Sequence, residues 1–402
     1  MHKYLKTSEF EGQFNIRICG SKSESNRLLI LKKLFPEIVI NNLSTSDDTL
    51  VLENALADDL STKDIHHAGT AMRFLTAYYA FYTKKTIKLT GSQRMQNRPV
   101  KILVDALRSL GAKIDYAAQD GYPPLIIHPS NITKSEVELQ ANVSSQYISA
   151  LMLSAPKLPD GLSIRFISEI TSFPYLNMTI LLMKKLGVKV DFDEKSIRIF
   201  PCESIYPVNI DVESDWSSAS YFYSLVALSP KLVLNLGTYF RNSLQGDSGI
   251  VSIYKKLGVK TTHLDNSIKL ENTGQNSIQF LDLNLVDMPD IAQTVAVTCL
   301  GLALPCKLTG LHTLKIKETD RLVAMKTELE KFGADVNITK NSLSMNPPKV
   351  MQSNQHVNTY NDHRMAMSFA PLSSKVDLTI NDANVVSKSY PDFWNDFDNL
   401  VG

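Results

Sequence analysis

Leu110-Gly111-Ala112-Lys113-Ile114 decides the architecture, because the chain repeats its pattern in Leu186-Gly187-Val188-Lys189-Val190, Leu257-Gly258-Val259-Lys260-Thr261 and Phe332-Gly333-Ala334-Asp335-Val336. In each copy an amphipathic stretch runs up to Leu or Phe, a glycine supplies the helix stop, and a short strand-like run follows. The glycines stand 76, 71 and 75 residues apart, too regular a spacing for chance. A fifth, eroded copy is expected at Ala55-Leu56-Ala57-Asp58-Asp59-Leu60. Strand-like runs such as Thr86–Thr90 and Ser196–Ile199 alternate with the helical stretches, which implies α/β layers. A chain of 402 residues holds between five and six such units, so two similar domains of three units each are expected. The boundary is placed near residue 212, with the first twenty residues returning to the second half. The domains are then 21–212, and 1–20 with 213–402. A cleft between the halves is the natural place for binding groups to converge.

The composition, with 44% hydrophobic residues, is that of a soluble globular chain. Lys and Arg number 42 against 41 Asp and Glu. That balance lacks the broad basic footprint of a nucleic-acid binder, so no nucleic-acid partner is expected. Cys19, Cys202, Cys299 and Cys306 are scattered, without metal or disulfide spacing, and fit buried thiols in a reducing compartment. The adjacent His66-His67 cannot both face a metal from one side of an element, and no metal is expected. Met1-His2-Lys3-Tyr4-Leu5-Lys6 has no signal-peptide core, and no run approaches the roughly 18 apolar residues of a membrane span. A cytoplasmic protein without a membrane partner is the expectation.

Against this neutral background, polar clusters recur where helices should begin. They are Gly20–Arg27, Ala68–Arg73, Ser144-Ser145-Gln146, Pro289-Asp290, Lys317–Arg321 and Asn361-Asp362-His363-Arg364. After Arg321, for example, Leu322, Met325, Leu329 and Phe332 recur at steps of three and four, up to the stop at Gly333. A helix start leaves N–H groups unpaired at the positive end of the macrodipole, so hydroxyls and cations there favour bound phosphate or carboxylate. One such cluster is ordinary capping and solvated surface. Six point to one anion site built from many helix starts.

In this order, together with Arg94-Met95-Gln96-Asn97-Arg98-Pro99, Thr359–Met367 and Lys388 through Pro391-Asp392, these motifs resemble the 5-enolpyruvylshikimate-3-phosphate synthase family, the 3-phosphoshikimate 1-carboxyvinyltransferases. The resemblance runs from Gly20 to Asp392. It implies two domains of three βαβαββ-type units, hinged so that a cleft closes on substrates. It also implies transfer of the enolpyruvyl group of phosphoenolpyruvate to the 5-hydroxyl of shikimate 3-phosphate, with release of phosphate and no cofactor. The chain is expected to act on these two small molecules as a monomer.

By the same resemblance, shikimate 3-phosphate falls to Lys22, Ser23, Arg27, Ser144, Ser145, Gln146, Ser172, Asp290, Thr313 and Lys317. Phosphoenolpyruvate falls to Lys22, Gly69, Arg98, Gln146, Arg321, Arg364 and Lys388. Most shikimate 3-phosphate contacts are thus expected on 21–212, with phosphoenolpyruvate anchors and catalytic carboxylates on the other domain. Arginine's planar fork suits carboxylate and phosphate, and hydroxyls donate while staying neutral. Gly69 is expected to let backbone approach the ligand. Asp290 is assigned as base toward the 5-hydroxyl and Glu318 as the proton partner at the methylene carbon, with Lys22 as a competing donor. Taken alone, Asp290 after Pro289 also reads as a helix cap, and Glu318 as part of a solvated charge run.

The chain departs from the family pattern at His67 (often Asn), Phe74 (often Pro), Phe173 (Lys in some members) and Thr313 (Asn in some). Two rival readings fit the sequence less well. UDP-N-acetylglucosamine enolpyruvyl transferases commonly carry a reactive Cys in the loop matching Gly91–Arg98, where this chain has none, and Lys-Asn where it has Lys22-Ser23. A non-catalytic anion-binding homologue has no need of Asp290 and Glu318 beside the anchors.

Overall fold

The computed structural model describes residues 1–140, 142, 144–274 and 278–401. The chain divides into two compact units, Met1–Gly20 with Glu213–Gly402, and Ser21–Val212. In the Ser21–Val212 unit, one sheet takes Thr62–Asp64, Ile87–Thr90, Leu125–His128 and Lys113–Tyr116 in that spatial order. A second takes Glu136–Leu139, Leu162–Phe166, Ser196–Ile199 and Val190–Phe192. The other unit repeats the arrangement twice. One sheet has Gly12–Ile16, Leu232–Gly237, Ser267–Asn272 and Val259–Leu264, and the next has Leu281–Asn284, Cys306–Thr309, Leu343–Asn346 and Asp335–Ile338.

In all four sheets the first two strands are parallel, and the remaining pairs are antiparallel. A helix joins the parallel pair and a second helix leads into the closing hairpin, which is the βαβαββ plan. The sheet begun by Gly12–Ile16 is the exception in connectivity, because the whole Ser21–Val212 unit is inserted before its second strand. Each unit also holds a smaller sheet. These are Ile38–Asn41 with Val208–Asp211, and Lys3–Leu5 with Leu378–Ile380 and Gln355–Val357.

The repeated glycines lie where the pattern placed them. Helix Lys101–Leu110 buries Leu103, Val104, Leu107 and Leu110 on one face and stops at Gly111. The pattern is the same at Gly187, after helix Phe173–Lys185. There the φ of 85° lets the N–H of Gly187 reach the Lys184 carbonyl at 3.0 Å and that of Val188 the Met183 carbonyl at 3.0 Å. The eroded copy differs. Helix Asp47–Ala57 runs into an extended Asp58, and the Lys63 ammonium covers the Asp58 carbonyl at 2.8 Å in place of a glycine turn.

Helix Trp216–Leu228 is buried along its whole length, as its small and apolar residues on every face require. Its hydroxyls find partners inside: Ser220 with Thr294 at 2.9 Å, and Ser224 accepting from Thr298 at 2.8 Å. These bonds fasten it to helix Ala292–Gly301, whose leading turn carries Asp290. The cysteine expectation needs one correction. Cys299 and Cys306 are buried, but Cys19 and Cys202 are half-buried, because they sit on connecting segments outside the packed helix–sheet layers.

Two glycines separate conformational strain from crowding. A Cβ on Gly187 would meet nothing within 4 Å, so Gly187→Ala should lose only about 1 kcal/mol from its left-handed backbone. A Cβ on Gly161, at φ 62°, would lie 2.1 Å from the Ile199 carbonyl oxygen, so Gly161→Ala must also move a strand end. Urea denaturation is expected to show the larger loss for Gly161→Ala, and equal midpoints would refute the distinction.

Candidate functional site

In the Ser21–Val212 unit the polar groups cluster at four helix starts. Ser21 precedes helix Lys22–Leu34 without capping it through its side chain, which leaves the first N–H groups of that helix without this common partner. The Lys22 ammonium stands 3.4 Å from an Asp48 carboxylate oxygen. Arg27 turns inward: Nε donates to Thr179 Oγ1 at 2.7 Å, and the terminal nitrogens to the Ser23 and Tyr175 carbonyls at 2.7 and 3.1 Å. Its guanidinium lies over the ring of Phe74, 5.7 Å from the centroid. Burial lowers its pKa to about 10.

Helix Gly69–Tyr82 begins against Arg98. A Cβ on Gly69 would fall 2.4 Å from Arg98 Nη1, so the space opened by the missing side chain holds a guanidinium. Arg73 fixes this arrangement. It donates to the Gly69 and Pro99 carbonyls, both at 3.1 Å, and Tyr147 also donates to Pro99, at 2.8 Å. Burial and the neighbouring Arg98 lower the Arg73 pKa to about 10. At the third start, Ser144 Oγ accepts from the Gln146 N–H at 3.3 Å, and Gln146 Nε2 reaches Thr70 Oγ1 at 3.3 Å. Ser145 is buried. Ser172 stands in the left-handed region at φ 56° before helix Phe173–Lys185, and Phe173 packs on Phe192.

The second cluster, in the other unit, is built around Arg321. This residue opens helix Arg321–Lys331, capped by Asp320, and is only 1% exposed. Its Nε donates to Asp362 Oδ2 at 2.7 Å, Nη1 to Asp290 Oδ1 at 2.9 Å, and Nη2 to Glu318 Oε2 at 2.9 Å. Asp362 also caps helix His363–Phe369 by accepting from the Arg364 N–H at 2.9 Å. Arg364 donates to the Asp290 carboxylate at 3.0 Å and to its carbonyl at 3.2 Å. Lys317 lies 3.5 Å from Asp290, and Lys388 lies 2.8 Å from Glu318. Thr313 Oγ1 is buried nearby in sequence, on the turn His312–Ile316, without a hydrogen-bond partner among the described residues.

Four cations here face three carboxylates. Burial pushes the Asp290 carboxyl up, but Arg364, Lys317 and Arg321 outweigh it and hold the group well below the usual carboxylate range. Arg321 is driven upward despite its burial, because Asp362, Glu318 and Asp290 stabilise its charge. Asp247 behaves in the opposite way. It is buried on the turn Gly246–Gly249, and burial, reinforced by Asp290, raises its pKa to about 8.

The sequence-selected residues therefore fall into two groups. Lys22, Ser23, Arg27, Gly69, Arg98, Ser144, Ser145, Gln146 and Ser172 belong to Ser21–Val212, and Asp290, Thr313, Lys317, Glu318, Arg321, Arg364 and Lys388 to the other unit. Asp290 lies inside the turn Pro289–Ile291 rather than at its N-cap, which is Met288, and Glu318 is not a solvated charge; both are engaged with the buried Arg321. Three members escaped sequence reasoning. Asp362 had a signal, since an acidic residue immediately before a helix is a capping candidate. Arg73 lay inside a chosen motif but was given no task. Nothing around Asp247 marked it as buried.

The family model described as EPSP synthase (3-phosphoshikimate 1-carboxyvinyltransferase) matches residues 54–397. A 3-phosphoshikimate 1-carboxyvinyltransferase of Bacteroides fragilis is 45% identical over 399 residues, covering 98% of this chain and 97% of its own. One from Haemophilus influenzae is 36% identical over 431 residues, with 98% and 97% covered. Among solved structures, an EPSP synthase from Acinetobacter baumannii superposes with a TM-score of 0.79 at 20% identity, over 100% of this chain and 98% of that one. The enolpyruvyl transferase NikO from Streptomyces tendae gives 0.74 at 12% identity, over 99% and 97%. At these identities the two structures speak for the fold alone.

Asp247 gives the second cluster a signature in solution. Its folded pKa of about 8 lies above the ordinary aspartate value of about 4, so its contribution to stability is complete below about pH 4 and fades as pH rises toward 8. Asp247→Asn should flatten the fall in Tm between about pH 5 and 8 and leave the variant relatively more stable at the alkaline end. Parallel Tm–pH curves for the two proteins would show that Asp247 does not titrate in this range.

Proposed function

We propose residue roles on the premise that this chain belongs to the EPSP synthase family, the 3-phosphoshikimate 1-carboxyvinyltransferases. The enzyme transfers the enolpyruvyl group of phosphoenolpyruvate to the 5-hydroxyl of shikimate 3-phosphate and releases phosphate, a step of the shikimate pathway. In the proposed reading the two clusters serve one reaction. The enzyme works on its two small-molecule substrates as a monomer in the cytoplasm.

Lys22, Ser23, Arg27, Ser144, Ser145, Gln146 and Ser172 hold shikimate 3-phosphate on the Ser21–Val212 side, with Asp290, Thr313 and Lys317 completing its contacts. Arg27 contributes mainly by fixing the Lys22 helix, since its N–H groups are largely engaged within the unit. Lys22, Gly69, Arg98, Gln146, Arg321, Arg364 and Lys388 hold phosphoenolpyruvate. Asp290 takes the proton of the 5-hydroxyl as that oxygen bonds to the phosphate-bearing carbon. Glu318, or Lys22 in competition, delivers a proton to the methylene carbon. The tetrahedral adduct then loses that proton and expels phosphate.

One observation carries this reading: Arg364, Lys317 and Arg321 all converge on Asp290. These cations depress its basicity. Once they turn toward a polyanionic substrate their field is shared, and the carboxylate becomes a stronger base when there is a hydroxyl to deprotonate. Glu318, between Arg321 and Lys388, is coupled to the substrate anchors in the same way.

Phosphate release with both substrates is the decisive assay. It should require shikimate 3-phosphate, and release with UDP-N-acetylglucosamine in its place would reverse the substrate assignment. Asp290→Asn and Glu318→Gln are each expected to lower kcat by about 100-fold or more while KM values stay within about threefold. Unchanged turnover in either variant removes that residue from the proton transfers.

A further inference from the structure

We infer that Glu328 is a positioning residue for Arg364 on helix His363–Phe369, acting through the turn at residues 358–361. Glu328 lies on helix Arg321–Lys331, seven residues and two turns after Arg321, so both project from the same face. It is fully buried. Its Oε1 accepts from the Tyr360 hydroxyl at 2.6 Å, and its Oε2 accepts from the Asn358 N–H at 3.1 Å and the Lys331 ammonium at 2.6 Å. A carboxylate present only to neutralise Lys331 has no reason to leave solvent, since an exposed pair at this spacing forms without desolvation. The bonds to Asn358 and Tyr360 give the burial its purpose.

The turn that receives these bonds is strained. Tyr360 and Asn361 have φ values of 54° and 55°, two consecutive non-glycine residues in the left-handed region. Side chains disfavour that conformation, and it persists only where surrounding contacts impose it. Asn381 holds the Asn358 side chain at 2.8 Å, and the contacts at both ends of the turn come from one helix. Glu328 fixes the entry of the turn at Asn358 and Tyr360, and Arg321 fixes its exit at Asp362. The N–H of Asp362 closes the turn on the Thr359 carbonyl at 2.8 Å. Two residues beyond this exit, Arg364 reaches Asp290. Release of the Glu328 end lets the turn relax and shifts the first turn of the following helix, so Arg364 is the group whose aim depends on Glu328.

The inference rests on the reading that Arg364 holds phosphoenolpyruvate, and its test separates the two. Tyr360→Phe removes one hydroxyl from a half-buried ring and should fold; Glu328→Gln keeps an acceptor but loses the charge; Arg364→Lys probes the site reading itself. Tyr360→Phe and Glu328→Gln should each raise KM for phosphoenolpyruvate about tenfold, with KM for shikimate 3-phosphate within about twofold. A merely structural role would lower Tm and move both KM values and kcat together. If both variants leave the phosphoenolpyruvate KM within about twofold while Arg364→Lys raises it, the positioning role is overturned and the site reading stands. If Arg364→Lys leaves that KM unchanged, the site reading falls, and this inference with it.

Discussion

A guanidinium withdrawn from water must be surrounded by compensating charge, and Arg321 is the point where this requirement organises the structure. Its three carboxylate partners come from three separate stretches of chain: Asp290 before helix Ala292–Gly301, Glu318 just upstream, and Asp362 at the head of helix His363–Phe369. Because a buried charge stripped of a partner costs about 3–5 kcal/mol, the cluster behaves as a unit. Placing Arg321 fixes the helix starts around it, and two of these stretches carry a further cation, Lys317 beside Glu318 and Arg364 after Asp362. The all-buried helix Trp216–Leu228, hydrogen-bonded to helix Ala292–Gly301, supplies the rigid support beneath.

The two clusters use their arginines differently. In the Ser21–Val212 unit, Arg27 and Arg73 are balanced by hydroxyls and backbone carbonyls, among them those of Ser23, next to Lys22, and Pro99, next to Arg98. In the other unit the arginines are balanced by carboxylates. A carbonyl-bound guanidinium keeps its net charge within the unit, whereas a carboxylate-bound one is nearly neutralised. The first cluster is therefore more positive in character, and the second more polarisable.

What the sequence made legible was what is local. The four glycine stops and the hydrophobic period that precedes them fix a repeating helix–turn–strand unit, since a left-handed residue and an apolar stripe are properties of a few neighbouring positions. The helix starts were legible for the same reason. Pairings across long separations were not. Glu328 looks like any charged residue of an amphipathic helix until Asn358 and Tyr360 are folded over it, and Asp362 reads as a cap although its second task is to hold Arg321, 41 residues away. Arg27, chosen as a ligand contact, spends most of its donors on Thr179, Ser23 and Tyr175, two of which lie some 150 residues along the chain. Gly69 was chosen for ligand access, yet its open space is filled by Arg98, a neighbour that no local pattern announces.

The pairing of Arg364 and Lys317 with Asp290, and of Lys388 with Glu318, means that the second cluster carries its own counter-ions. An incoming anion does not fall into a bare positive field; it must exchange with a carboxylate that is already there. A halide or a small monocarboxylate offers one charge in return for a buried ion pair, and gains almost nothing. A dianion with two separated charged ends can satisfy several cations at once. On the proposed reading of this site, resident carboxylates act as a valence filter that favours a multiply charged ligand over monovalent ions without any change in the shape of the site.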